Sequence, residues 1–436
     1  MSTEVLALPF GGDTLALRVP ASWQVTGLHV PRRLPGAPDP AAALEEGLIA
    51  PVGAAPLADL AGRRIVLAVD DVSRPTPVHR WMAALLRHLE ARGARRQDLR
   101  VLFALGVHRP MSPAEAAAKL GPENLEGLAW ENHDARDGDL NPLLGATSRG
   151  TPVRLNRRLA EADLILCVGA LEPHPLLGFG GGLKMILPGL AHEETIAANH
   201  MQGVSPTAWN FVGAPESPMR LDLEEAAGML RRPVFLVNAL LNTDLEVVRF
   251  VCGDPVAAHR EGVRVLAEAA ACAVEGLADL AITLSDPLNA DLRQGMKAIA
   301  HAERAVRDGG TIVGLLECRG GIGDISIPPR SLPNGLLRFI LRRLGPGRVL
   351  GFVDRVKRGA GTEERFLSHF SLQVVRKNRI LVWSPGLPPD TGRRMGIFRQ
   401  LPDPQAAIDD AARHLPRHAR VHVFPHGGAS FPVPIP

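Results

Sequence analysis

The sequence contains no tyrosine, and only five of its 49 basic residues are lysines. Its four cysteines, Cys167, Cys252, Cys272 and Cys318, stand far apart without a C-x-x-C pair, so they read as buried, reduced thiols. No stretch approaches about eighteen uninterrupted apolar residues, and the start lacks a basic segment followed by an apolar one. A membrane span and a secretory leader are therefore not expected, and the cytoplasm is the expected compartment. A net charge of +3 spread over 436 residues argues against a nucleic-acid surface. The length calls for two domains rather than one core.

What is present first is a repeating pattern of strand, loop and helix. "RRIVLAV" (63–69), "LRVLFALG" (99–106) and "DLILCVGA" (163–170) are short apolar runs, each emptying into a polar loop and then a helical segment. Thr76 and Pro77 suit the start of the first helix, and Ser112, Pro113 and Glu115 form a capping box for the second. The pattern predicts an α/β fold with mainly parallel sheets flanked by helices and the active site in an interdomain cleft. Residues 1–270 form the expected cofactor-binding domain, with 416–436 rejoining it, and residues 271–415 the substrate-side domain. An opening hairpin is expected around Gly11 and Gly12, a long helix over 255–276, and a further helix running to Gly309 and Gly310.

The densest motif is "EPHPLLGFGGGLKMILPG", Glu172 to Gly189. A phosphate-binding P-loop needs Gly before and Ser/Thr after the lysine, whereas Leu183 and Met185 flank Lys184. The dinucleotide fingerprint fails as well, with Leu183 or Met185 where its last glycine belongs. The glycines read instead as bare backbone that lets a flat nucleotide lie close. In a chain that uses Arg almost everywhere, Lys184 beside them points to chemistry that needs an amine, which can deprotonate and attack an acyl or thioacyl carbon.

Other polar residues gather at strand ends. Asp71, Ser73 and Arg74 could clamp a phosphate or carboxylate at a helix start, or could cap that helix. His108 and His174 could act as a pair of acid/bases, and His200 could ligate a metal, although its spacing from His174 matches no standard metal signature. Gln294 and Lys297, three apart, share a helix face that could reach the cleft.

At these residues the sequence resembles the nickel-pincer lactate racemase family. The resemblance runs over roughly 65–325 and rests on "DDVSRPTP", "GVHRP", "ENHDA", the glycine motif, Asn199–His200, "QGMK" and the terminal "FPHGG". It implies a racemase of a short 2-hydroxy acid using a nickel-pincer nucleotide, in which pyridinium-3,5-bisthiocarboxylic acid mononucleotide holds nickel. It further implies a covalent link at Lys184, nickel ligation by His200, and an acid/base pair of His108 and His174. Asp71, Val72, Ser73 and Arg74 would hold the nucleotide, and Gln294 and Lys297 the substrate. Enzymes that make the cofactor are the implied partners for loading. Lactate-specific members resemble one another in an aromatic residue where Arg293 stands, and in a tryptophan that "TEERFLSHF" lacks. Arg293 therefore suggests a second carboxylate, as in malate. A conventional NAD-type dehydrogenase and a non-catalytic cofactor-binding protein are the alternatives.

Overall fold

The computed structural model describes residues 2–205, 208–323, 325, 327, 331–356 and 362–435, of which 346, 350, 353, 354, 356 and 362–368 by backbone alone. Two six-stranded sheets organise it. The first has the order Val247–Gly253, Val234–Leu241, Leu164–Ala170, Ile65–Val69, Leu99–Phe103, Ala129–Asn132. All its neighbours are parallel except the edge pair formed by Val234–Leu241 and Val247–Gly253. Every residue of Ile65–Val69 is buried, because elements pack on both faces. Val66 and Ala68 enter one core cluster, and Ile65, Leu67 and Val69 another, as the two-residue repeat of a strand requires.

The second sheet, parallel throughout, has the order Arg399–Gln400, Arg379–Trp383, Val306–Leu315, Ala278–Leu284, Arg420–Phe424, Gln24–Leu28. The α/β class with mainly parallel sheets is thus what the chain adopts.

The chain nevertheless crosses between the sheets more often than one boundary near 270 would have it. The expectation that 416–436 rejoins the first layer is corrected: Arg420–Phe424 pairs with Ala278–Leu284 and Gln24–Leu28 in the second sheet. Buried Val421 and Val423 drive that placement, since they fill the core under Leu280 and Ile282. Further on, Phe431 packs on Phe179, and Gly428 and Ala429 line a cavity with first-sheet loops. The opening hairpin, Thr3–Phe10 with Asp13–Pro20, forms as expected, yet its Leu8 and Leu17 join the second sheet's core.

Local structure departs from expectation at three places. The long helix stops at Ala270, and Ala271–Glu275 is a strand that pairs with Phe431–Ile435. Burial of Cys272 and Val274 on one face overrides the helix preference of the alanines. The helix beginning at Leu292 ends at Ala302, and Val306–Leu315 is already strand. Thr76 caps no helix; its hydroxyl donates to Asp70 Oδ2 at 2.6 Å. The capping box of Ser112 and Glu115 is present as expected.

In the first sheet the chain runs outward from Ile65–Val69 through Leu99–Phe103 to Ala129–Asn132. It then returns to the other side of Ile65–Val69 with Leu164–Ala170. The loops leaving Ile65–Val69 and Leu164–Ala170 therefore diverge, opening a crevice at their carboxyl ends. That crevice holds "DDVSRPTP" and the glycine motif.

Candidate active site

The first loop is braced from beneath by Lys119. Its ammonium sits 2.6 Å from Asp70 Oδ1 and donates to the backbone carbonyls of Asp71, Arg74 and Thr76 at 3.1–3.2 Å. One buried cation thereby fixes the backbone on which Asp71 and Arg74 stand. Asp71 accepts from the Ser73 backbone N–H at 2.8 Å and pairs with His108 Nδ1 at 2.6 Å. Burial works against its charge, but His108 and Arg74 overcome that and hold the carboxyl well below the usual range. With Nδ1–H committed to Asp71, His108 keeps a lone pair on Nε2.

His174 has the opposite polarity. The backbone N–H groups of Leu176 and Leu177 both donate to its Nδ1 at 3.2 Å, so the neutral ring carries its proton on Nε2. Burial, reinforced by Lys184, Lys297 and Arg74, pushes its pKa well down and keeps it neutral. His200 lies in the helix Glu193–Gln202 and donates from Nδ1 to the Ile196 carbonyl at 2.7 Å. That bond leaves the Nε2 lone pair of a metal ligand. Burial lowers its pKa to about 4, so the ring is neutral.

At Gly178, Gly180, Gly181 and Gly182 the space where a side chain would stand is filled by protein, while Gly181 itself lines the cavity between the loops. A Cβ on Gly180 would lie 2.9 Å from Glu172 Cγ, and one on Gly181 2.7 Å from the Ala170 carbonyl. At Gly182 it would meet the His259 ring at 2.8 Å, and at Gly178 it would collide with the Ala214 carbonyl. Protein atoms thus fill the space on that side. The loop is further held by Asn238 Oδ1, which accepts from Gly182 N–H at 2.7 Å, and by buried Arg220, which donates to the Phe179 carbonyl. What the glycines permit is a tight turn, Gly182–Met185, that presents Lys184.

The Lys184 amine is buried and has no hydrogen-bond partner among the described residues. Burial, aided by Arg74 and Lys297, depresses its pKa well below that of an ordinary lysine. Its nearest carboxylate, Glu172, is 4.0 Å away, and an amine whose charge burial disfavours is nearer its nucleophilic form. From the second sheet, the helix Leu292–Ala302 starts at Asp291, whose side chain accepts from Gln294 N–H at 2.9 Å. It delivers Gln294 Oε1 to Arg74 Nη1 at 2.5 Å and Lys297 Nζ to Glu172 Oε1 at 3.0 Å. Burial lowers the Lys297 pKa to about 8, against the pull of Glu172.

A cavity of about 280 Å³ is lined by Arg74, His108, Glu172, His174, Lys184, His200, Arg293, Gln294 and Lys297, among others. Asp71 also lines it. Ser73 and half-exposed Val72 instead face an adjoining recess shared with Asp71, His108 and Arg293. The sequence-derived residues are thus brought together around the cavity and its recess. In the segment compared with the missing tryptophan, 362–370, only the side chains of His369 and Phe370 are described, and Phe370 lines the cavity.

The lactate racemase N-terminal domain family matches residues 10–209. A lactate racemase from Lactiplantibacillus plantarum is 30% identical over 399 residues, covering 88% of this chain and 89% of that protein. The chain belongs to the lactate racemase family. It is an isomerase family. A second relative, a lactate racemase from Thermoanaerobacterium thermosaccharolyticum, is 31% identical over 278 residues, 63% of this chain and 65% of that protein. The alignment thus spans just under two thirds of that relative's length. The solved structure of the lactate racemase apoprotein from the same organism superposes with a TM-score of 0.81 at 24% identity, covering 99% of this chain and all of that one. A structural-genomics protein from Thermotoga maritima gives 0.66 at 17% identity over 92% of this chain and all of that one. Both structures share the fold.

The site suits the cofactor that the family resemblance implies. The orphaned Lys184 amine offers an anchor, and His200 offers one neutral imidazole. Among the described residues no group of three or more His, Cys, Asp or Glu is placed to hold a metal, so a metal here would need donors supplied by the cofactor itself. Sequence reasoning overlooked Glu172 and Lys119. The signal for Lys119 was its rarity, one of five lysines; that for Glu172 was a lone carboxylate inside the glycine motif.

Proposed function

We propose that the protein racemises a short 2-hydroxy acid, lactate or a malate-like dicarboxylate, with a nickel-pincer nucleotide anchored on Lys184 and nickel ligated by His200. The observation that carries this reading is the buried Lys184 amine, which makes no hydrogen bond among the described residues, in a cavity that also holds two histidines of opposite hydrogen-bond polarity. The two relatives named lactate racemase support the reaction. When bound, the cofactor supplies a reversible acceptor for the substrate's α-hydride.

The chain's own residues do the rest. Lys297 and Arg74 bind the carboxylate, and Gln294 holds the Arg74 guanidinium in place. His108 Nε2 takes the hydroxyl proton, and the Asp71 carboxylate stabilises the resulting imidazolium. His174 presents Nε2–H to the substrate oxygen on its own side, and to give that proton to the returning alkoxide it must first become an imidazolium by protonation at Nδ1. To serve as base for the other enantiomer, its ring must first leave the Leu176 and Leu177 N–H groups, so the two directions are chemically unequal. A planar 2-oxo acid held only by its carboxylate can turn about that contact. Asp71, Val72 and Ser73 line the recess and Arg74 the cavity beside it, and together they would hold the nucleotide. Arg293 lines both spaces, which favours a substrate with a second carboxylate. Loading by cofactor-making enzymes in the cytoplasm completes the reading; among the described residues no helix is long and apolar enough to cross a membrane.

The test is co-expression with those enzymes, followed by intact-mass and peptide mapping. Single enantiomers of lactate and malate are then incubated and analysed by chiral chromatography. An adduct on Lys184 and conversion of one enantiomer to a mixture are expected. Nickel and adduct without turnover on any 2-hydroxy acid would refute the proposal.

A further inference from the structure

Glu172 lies at the centre of the cavity's charge. Its Oε1 is 3.0 Å from Lys297 Nζ, 3.5 Å from Arg74 Nη1 and 4.0 Å from Lys184 Nζ. The three nitrogens come from separate segments, burial disfavours charge on the Lys184 amine, and all four side chains line the cavity. Among the described residues no other carboxylate pairs with Lys184 or Lys297. We infer that Glu172 is a built-in carboxylate seated where a ligand's carboxylate must bind, and that it determines which acids the cavity accepts. The inference rests on the racemase reading only for the identity of the natural acid.

Glu172 cannot swing far away. Its backbone carbonyl accepts from Gly180 N–H at 2.7 Å, its stem lies against Gly180 where a Cβ would be 2.9 Å away, and Pro173 restricts its backbone. An incoming carboxylate therefore meets a fixed negative charge next to the cations it seeks. Arg74 and Lys297 supply two positive charges and Glu172 removes one, so the seat has room for a single further negative charge. A compact dianion that places both carboxylates on this seat is repelled, since like charges a few ångströms apart in a partly buried site disfavour one another strongly. A 2-hydroxy acid with one carboxylate here is accepted, as is one whose second carboxylate lies further off, toward Arg293. Glu172 is thus a specificity-determining residue that selects by charge density.

Calorimetry on the cofactor-free protein tests this without any turnover, with L-lactate as the monoanion and oxalate as the compact dianion. The wild type should bind lactate and bind oxalate about tenfold or more weakly by comparison. Glu172→Gln should raise oxalate affinity by at least about tenfold and reverse the preference. Glu172→Asp, which keeps the charge, should retain the wild-type order, and Lys297→Met should lose lactate binding. Thermal melts establish that each variant is folded. An unchanged lactate-to-oxalate ratio in Glu172→Gln overturns the inference, as does absence of carboxylate binding in both wild type and Glu172→Gln. Failure of the racemase reading would look different, with these binding ratios intact and the loaded protein inert.

Discussion

Among the described residues, two Asp–His pairs of the same length stand at corresponding places. Asp71–His108 follows the carboxyl ends of central strands in the first sheet, and Asp286–His426 does so in the second, each at 2.6 Å. Their surroundings separate them. The Asp71 side chain is 5% exposed and Asp286 35%, so the same contact is screened by water in one case and not in the other. The first loop rests on a buried ion pair, Lys119 with Asp70, whereas the second is held by neutral bonds such as Ser285 Oγ to Asn289 Oδ1. His108 lines the cavity with Arg74 and Lys297; His426 does not. An Asp–His pair is therefore not a site in itself. Burial and a facing cluster of cations make it one.

That contrast can be broken from the strong side first. In the cofactor-loaded protein, His108→Asn should lower kcat for racemisation by about 10²–10⁴-fold while nickel stays bound, measured by chiral chromatography and metal analysis. Asp71→Asn should cost about 10²–10³-fold in kcat, because His108 loses the charge that stabilises its protonated form. Substrate binding should also depend on pH through Lys297. Its ammonium carries the binding charge and is lost as pH rises through about 8, so KM should climb above that pH, approaching tenfold per unit, while remaining flat below it. Lys119→Met would leave Asp70 buried without its partner and free three carbonyls. A loss of about 3–5 kcal/mol in denaturant unfolding is expected, with no counterpart in the second loop. His426→Asn should be the mildest, changing stability by about 1 kcal/mol or less and kcat by no more than about twofold. A loss at His426 equal to that at His108 would erase the distinction.

Much of the site was legible because its chemistry uses rare residue types at strand ends. Lys184 could be singled out as one of five lysines, and His108 and His174 because each follows a short apolar run. Gln294 and Lys297 could be placed on one helix face by their spacing. Glu172 was not legible as a residue of weight, since its role exists only where Arg74, Lys184 and Lys297 converge from three distant segments. The Ala271–Glu275 strand was hidden for a related reason, as its alanines favour helix until Phe431–Ile435 lies alongside.

By itself, the sequence determined the α/β class, the polar loops and the chemical types available in them. Those follow from local periodicity and side-chain chemistry, which every short segment carries with it. Only the tertiary structure decided which imidazole nitrogen holds its proton, that the Lys184 amine is buried without a hydrogen bond, and that Glu172 and His259 fill the space beside the glycines. It also placed the final strand beside the second sheet. Each of these depends on burial and on partners far away in the chain, and desolvation and hydrogen-bond polarity do not exist until those partners meet.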